Sequence, residues 1–364
     1  MTRRRVAIVG AGMAGASLAA ELAATDTVVL LEAEAQPGFH ATGRSAAFWS
    51  ETYGGPLVQP LTTASGGLLH TPPADFAERG FLRTRGELLL ARDRAVLEAL
   101  ARDFAATGVP IDWRDPHGQV PGLRGEWHAL WSPGCADIDV AALHAAYLAK
   151  ARRGGVELLC DARLIGARRD GGGWRLTTAA GDTIAADIVV NAAGAWADAV
   201  AHVLGAAPLR IAPYRRTVVQ LRVDPPASAD LPLVIDAAGG FYFKPEPGGR
   251  LWLSPHDETP DRAHDVAAEE IDVALAIDRF EAAVDWRVAA VERRWAGLRS
   301  FAPDRVPVYG FDAHIPGVFW CAGQGGFGIQ TAPAAARLCA ALLGRGAVPD
   351  GVDAAIYAPQ RLSE

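Results

Sequence analysis

Val6-Ala7-Ile8-Val9-Gly10-Ala11-Gly12-Met13-Ala14-Gly15, small and apolar residues to Ala24, then Val28-Val29-Leu30-Leu31-Glu32 decide the fold of this chain. Read physically, the stretch is strand, turn, helix, strand. Gly10 permits the tight turn off the first strand, Gly12 lets the backbone approach a pyrophosphate, and Gly15 lets the helix pack close to the sheet. Free N–H groups at the helix N-terminus face the phosphate, and the helix dipole favours its charge. Glu32 ends the second strand, where a carboxylate can accept both ribose hydroxyls. A lone glycine motif is weak evidence. One that follows an apolar strand, opens a helix and meets an acid about 20 residues later is strong.

The 364 residues are half hydrophobic, as suits one large or two interleaved globular domains. A net charge of −7 without a basic patch argues against nucleic acid, and the lack of a polybasic run argues against anionic lipid. Thr2-Arg3-Arg4-Arg5 imitates the start of a signal peptide, but the turn glycines and Glu21 speak against that reading. No apolar stretch of about 18 residues predicts a transmembrane helix. Cys135, Cys160, Cys321 and Cys339 form no C-x-x-C pair, so neither a metal site nor a disulfide framework is expected. A cytoplasmic location follows from this cysteine usage, with peripheral attachment to the inner membrane left open. His256 and His264 read as solvated loop residues.

Ala33 to Tyr53 has neither a helical nor a strand period, and a loop this long inside a domain is usually functional. Its Thr42-Gly43-Arg44-Ser45-Ala46-Ala47 run stands where the chain could wrap a cofactor. Beyond it, 60–69 predicts a short helix, 82–91 a strand containing Glu87, 94–107 an amphipathic helix, and 133–139 a turn. Asp139 is a plausible N-cap for a helix over 140–152. The nucleotide-binding pattern then returns. Val156 to Cys160 is an apolar strand, a meander follows to residue 185, and Asp187 to Gly194 is a buried strand leading into a helix. After a second excursion of strands and one helix over 215–298, the chain comes back with Val318 to Ala322, Gly323 to Gly328 and a helix from Thr331 to Leu343. The expected fold class is α/β. Residues 1–50, 140–205 and 300–364 would form a discontinuous Rossmann-like nucleotide domain. Residues 51–139 and 206–299 would form an inserted antiparallel-sheet substrate domain.

The ordering resembles the FAD-dependent D-amino acid oxidase superfamily, with its glutathione-reductase-type FAD domain. The segments that carry the resemblance are VAIVGAGMAGASLA with Glu32, DIVVNAAGAWA and CAGQGGFGIQTAPA. Within it the chain is most similar to the bacterial D-arginine dehydrogenase branch of D-amino acid dehydrogenases. ATGRSAA with Tyr53-Gly54, RGELLL, CADIDVAALHAAYL, GFYFKPE, RWAGLRSFAPD and APQRLSE carry that closer likeness. The resemblance implies oxidation of a D-amino acid with a basic or hydrophobic side chain to an imino acid, which water converts to a 2-oxo acid. The electrons would pass to an acceptor other than oxygen, a quinone or an electron-transfer chain being the candidates. It also implies FAD contacts from Gly10, Gly12, Met13, Ala14, Gly15, Glu32 and Ala33; from Thr42, Gly43, Arg44, Ser45, Ala46 and Ala47; from Ala193, Gly194 and Trp196; and from Arg299, Gly325, Gly326, Phe327, Gly328, Ile329, Gln330 and Thr331. Some relatives attach their flavin through a cysteine after the Arg299-type motif. Ser300 to Gly310 has none, so non-covalent FAD is expected.

Hydride transfer from an amine carbon to flavin asks the protein for placement and electrostatics. Arg299 is the candidate carboxylate clamp, since a guanidinium holds a carboxylate through two parallel hydrogen bonds as lysine cannot. Tyr53 and Tyr242 match positions lining the same pocket, with plain strand packing as the other reading. Arg216 matches a further pocket arginine, although Arg215 beside it leaves that assignment open. In the resembled family the residue matching Glu87 meets the distal cation of a basic substrate; a solvent-facing strand residue is the alternative. Phe48 departs from the pattern, which has a histidine there, and no general base is assigned. Backbone N–H groups of Gly323 to Gly328, with the dipole of the following helix, would stabilise an anionic reduced flavin. The same clamp would also serve a secondary-amine oxidase of the sarcosine or glycine type or a 2-hydroxy-acid dehydrogenase, although a hydroxy acid would need a base and none stands out. A flavin-binding protein without turnover is the reading from another class, and Arg299, Tyr53 and Tyr242 speak against it.

Overall fold

The computed structural model describes residues 3–362; Thr2 of the arginine-rich start and Ser363-Glu364 of the last motif lie outside the described residues. The first strand, Arg5–Val9, pairs in parallel with Thr27–Leu31 on one side and Ile188–Asn191 on the other. The full order of this six-stranded sheet is Val308–Phe311, Val318–Ala322, Ile188–Asn191, Arg5–Val9, Thr27–Leu31, Glu157–Leu159. Only the Val308–Phe311 edge runs antiparallel. Its central strands are apolar at consecutive positions because both faces are covered. Val6 and Ile8 join Leu18, Leu143, Tyr147 and Leu338 from the helices Met13–Leu22, Val140–Arg153 and Ala332–Leu342. Ala7 and Val9 meet Trp174 and Leu176 of the meander on the other face. Gly15 makes the helix approach possible: a Cβ there would stand 1.9 Å from the Gly10 carbonyl oxygen.

A second, ten-stranded sheet is built from residues between Glu87 and Gly325. Its spine is the long antiparallel ribbon of Ala212–Asp224 and Arg287–Phe301. Helix Glu270–Ala283 covers one face, over Leu88, Leu90, Val219, Leu221 and Phe243. The period-two alternation then turns Leu89, Ile235 and Tyr242 to the other face, toward Phe48 and Tyr53. The ribbon reaches the late glycine loop directly, because Ser300 pairs with Gly325 and Phe301 with Gln324.

Three local readings change. The expected single strand 82–91 is two, Leu82–Thr84 and Glu87–Ala91, in different sheets. Gly86 makes the break at φ +78°, where the Trp131 ring would lie 2.1 Å from a Cβ. The expected turn at 133–139 contains a strand, Ala136–Ile138, that joins Phe48–Trp49 to Leu82–Thr84. Helix Gln59–His70, expected with the inserted sheet, packs instead in the core of the first sheet, where Ala334 N–H donates to Ser65 Oγ at 3.0 Å. Asp139 caps its helix as expected, its carboxylate accepting from Ala142 N–H at 3.0 Å. Among the described residues no helix is long and apolar enough to cross a membrane, and no His/Cys/Asp/Glu cluster is arranged for a metal ion.

Candidate active site

A cavity of about 710 Å³ lies between the two sheets, lined by the first glycine turn, Glu32, the 38–48 loop and the end of the long ribbon. That is within the roughly 300–1,000 Å³ usual for cofactor and ligand sites. The glycine turn fits a dinucleotide. Gly10 has φ +104°, and a Cβ on it would lie 2.4 Å from the Ala192 carbonyl oxygen. Gly12 leaves open backbone at the cavity wall, its nearest obstacle to a Cβ being Thr42 Oγ1 at 3.3 Å. The Glu32 carboxylate, 8% exposed, is oriented by N–H donors from Ala11 at 3.1 Å and Glu34 at 3.0 Å. Thr42 Oγ1 accepts from Met13 N–H at 2.9 Å, fastening the loop over the helix N-terminus. These residues would hold the ribose and pyrophosphate of FAD. Ala46, Ala47, Gly325, Gly326, Gly328, Ile329 and Gln330 line the cavity farther along, with Ala33, Arg44, Ser45, Ala193, Gly194 and Trp196.

Four expected cofactor contacts are not in the lining. Gly15 serves helix packing, and Gly43 tightens the loop by donating its N–H to the Gly38 carbonyl. Phe327 packs against Tyr53 and Phe301, and Thr331 Oγ1 donates to the Phe327 carbonyl at 2.9 Å. Arg44 lines the cavity but spends its guanidinium on Asp265 and the Val266 carbonyl, which makes it a loop clasp. Phe39, His40, Ala162 and Arg163 also line the cavity and were not legible, because nothing in their spacing marks them.

At the other end Arg299, Tyr53, Tyr242, Arg216 and Phe48 share the cavity wall. The ribbon register explains the two arginines. Arg299 stands opposite Tyr214 and Arg216 opposite Gly297, so both point to one face, one pair apart. Arg215, on the opposite face, pairs with Asp272 and Glu269 and is absent from the lining, where Arg216 stands. Arg299 Nη1 donates to the Tyr53 hydroxyl at 2.7 Å. Gly326 gives the guanidinium room, since a Cβ there would lie 2.9 Å from Arg299 Cζ. Burial works to lower the Arg299 pKa, but the nearby tyrosines and Glu258 outweigh it and hold the group more firmly charged. Burial likewise works to raise the Tyr53 phenol, and the charges of Arg299 and Arg216 outweigh it, so its pKa falls. Arg216, 4% exposed, donates to the Asp257 carbonyl at 2.7 Å and to Glu258 at 3.1 Å. Phe48 meets Tyr53 at 5.0 Å and Tyr242 at 6.2 Å between ring centroids.

Glu87 does not line the cavity. It is 0% exposed, and its Oε1 accepts from Ser50 Oγ at 2.7 Å and Thr52 Oγ1 at 2.5 Å. The segment carrying those hydroxyls covers the strand, so the expected direct contact with a substrate cation gives way to a contact that holds the segment. Burial raises the Glu87 pKa against the hydrogen bonds from Thr52, Ser50 and Cys135. From the opposite side Gln330 fixes the same segment, accepting from Ser50 N–H at 3.1 Å and donating to the Tyr53 carbonyl at 3.1 Å. The two histidines read as solvated loop residues are half-buried, His264 keeping a side chain 36% exposed. His264 lines the cavity, and His256 packs against Tyr53 and Tyr242. The signal was topological: Ser254, two residues before His256, pairs with Tyr242 across the sheet.

A family model described as FAD dependent oxidoreductase (DAO) matches residues 5–342. Glycine oxidase of Geobacillus kaustophilus (strain HTA426) is 28% identical over 365 residues, covering 95% of this chain and 94% of that protein. The crystal structure of glycine oxidase from Geobacillus kaustophilus matches with a TM-score of 0.84 at 26% identity, over 99% of each chain. The crystal structure of L-proline dehydrogenase from P. horikoshii shares the fold, with a TM-score of 0.86 at 23% identity over 100% of this chain and 98% of that one. With the glycine turn, the mid-chain strand and the late glycine loop all inside the matched residues, the chain belongs to the FAD-dependent oxidoreductase (DAO) family.

Proposed function

We propose that this chain oxidises the carbon–nitrogen bond of a small or apolar amino acid, using FAD held without a covalent bond. The substrate class spans glycine, N-methylglycine and D-amino acids with hydrophobic side chains. Water hydrolyses the product imine to a 2-oxo acid and releases the nitrogen as ammonia, or as methylamine from N-methylglycine. The observation that carries the reading is the Arg299–Tyr53 pair at the end of the cavity that the glycine turn opens.

Bound FAD would take up the hydride released from the substrate carbon. The chain supplies the rest. Arg299 offers its fork to the substrate carboxylate, which fixes the orientation of the adjoining carbon. Arg216, on the same face and held by Asp257 and Glu258, adds its guanidinium to the wall beside the carboxylate end of the substrate. Phe48 with the rings of Tyr53 and Tyr242 provides an apolar wall beside the anchor, which suits a hydrogen, a methyl group or an apolar side chain. The engagement of Glu87 by Ser50 and Thr52 speaks against basic side chains. The glycine oxidase among its relatives favours the small end of the range.

The test is anaerobic addition of glycine, sarcosine, D-leucine, D-methionine, D-arginine and a 2-hydroxy acid to the purified yellow protein, followed by absorbance. Bleaching by glycine, sarcosine or the apolar D-amino acids supports the reading. Bleaching by D-arginine alone returns Glu87 to the substrate site, and bleaching by the hydroxy acid alone sinks amine oxidation. Readmitting air then separates oxygen from another electron acceptor by the speed of reoxidation. Acid precipitation tests the flavin linkage: yellow colour left in the supernatant supports non-covalent FAD, and colour in the pellet refutes it.

A further inference from the structure

The turn after strand Arg250–Ser254 holds His256 in the left-handed region, at φ +57°. Such strain costs on the order of 1 kcal/mol or more, and it persists where the surroundings over-determine it. Here they do. Arg279, on helix Glu270–Ala283, donates to the Pro255 carbonyl at 2.6 Å. From the long ribbon, Arg216 donates to the Asp257 carbonyl, and Thr217 N–H donates to the Asp257 carboxylate at 2.8 Å. Arg305 reaches Glu258 at 2.8 Å.

The fixed object is an imidazole between two pocket tyrosines. It stacks on Tyr53 with centroids 6.4 Å apart and planes 21° from parallel. It meets Tyr242 edge-on at 5.5 Å. Both geometries lie in the range of favourable aromatic pairs. Burial and the charges of Arg216, Arg299 and Arg279 push its pKa down to about 2, while Asp257 and Glu258 stand on its own turn. The ring is therefore a neutral aromatic at working pH.

We propose that His256 is a positioning residue whose ring holds Tyr53 and Tyr242 in place beside Arg299, and so sets how tightly the pocket grips a substrate carboxylate. The proposal rests on the reading of Arg299 and Tyr53 as the carboxylate anchor. Two substitutions in the holoenzyme test it. His256→Gly keeps the left-handed backbone and deletes the ring. His256→Phe keeps a ring without its nitrogens. The expected result for His256→Gly is a KM raised about tenfold with kcat changed less than about twofold, and for His256→Phe a KM within about threefold of the parent.

A second readout needs no substrate. In protein labelled at tyrosine Cζ with carbon-13, the Tyr53 signal, assigned with Tyr53→Phe, titrates lower than an ordinary phenol because Arg299 adjoins it. In His256→Gly that titration moves up as the phenol drifts from the guanidinium. An unchanged KM together with an unchanged Tyr53 titration overturns the proposal. So does a His256→Phe protein as impaired as His256→Gly. A Tyr53 titration that moves while no amino acid binds at all sustains the positioning role and counts against the anchor reading instead.

Discussion

Arg299 gives one N–H to Tyr53 and leans against the bare backbone of Gly326, an arrangement that suits a planar fork. Arg299→Lys keeps the charge and loses the bidentate geometry. Steady-state kinetics of that variant should show kcat/KM down by about 100-fold, with FAD still bound. An unaffected kcat/KM would remove Arg299 from the substrate site. Glu87 makes a prediction of the opposite kind, about stability. Its folded-state pKa is raised, so the folded protein holds that proton where the unfolded chain has released it. The contribution is full below the ordinary glutamate value and is lost as pH rises through the folded value. Glu87→Gln, which mimics the neutral acid, should melt at a temperature that declines less than the parent's as pH rises through that window. At this scale the motifs made Arg299, Tyr53, Tyr242, Arg216 and Phe48 legible. Glu87 could be seen as an anomaly in an apolar strand, but the Ser50–Thr52 cover came from 35 or so residues upstream, and no local pattern encodes such a contact. His256 was misread for the same reason: polar neighbours in sequence suggested water, while the sheet pairing brought aromatic rings.

Elements were legible where one face is buried and the period is unambiguous, as in helix Glu270–Ala283 and the ribbon Ala212–Asp224 with Arg287–Phe301. They were not where two short strands follow one another closely. The 82–91 segment LRTRGELLLA joins a polar strand to an apolar one, and only Gly86 betrays the sharp change of sheet. Gly86→Ala meets both a positive φ and the Trp131 ring. It should destabilise the fold by about 2–4 kcal/mol in urea unfolding. A loss under 0.5 kcal/mol would mean that the turn can be made without a left-handed residue. Ala136–Ile138 was missed because three residues between the Pro133-Gly134 turn and a helix cap are too few to show a period.

For the whole molecule, Asp26 ties the start of the first strand to the turn that follows helix Ala332–Leu342. Buried at 2% exposure, it accepts from Arg4 Nε at 2.9 Å and from both Arg345 Nε and Nη2 at 2.9 Å. Burial alone would raise its pKa; the hydrogen bonds from Arg345, Arg4 and Thr25 outweigh that and hold it well below the carboxylate range. A depressed carboxylate contributes stability above its unfolded value and loses it as the solution is acidified. Asp26→Asn should therefore cost about 2 kcal/mol near neutrality. The gap from the parent should begin to narrow below about pH 4, where the unfolded carboxyl takes up its proton, and close only at far lower pH, where the folded carboxyl is protonated too. Thermal melts of both proteins across acid pH measure this, and a gap constant with pH would assign the loss to packing.

The order of the first sheet also has a consequence for biosynthesis. Arg5–Val9 meets Thr27–Leu31 almost at once, yet its other neighbour is Ile188–Asn191, and the sheet closes only with Val318–Ala322. At about 5–20 residues per second the sheet stays open for roughly 15–60 s after its first strand is made. Until it closes, Ile188–Asn191 lacks its second neighbour, and apolar strand surface stays uncovered. Translation arrested just short of Val318 would leave a chain that already holds the glycine turn, Tyr53 and Arg299 but has no finished sheet to seat them.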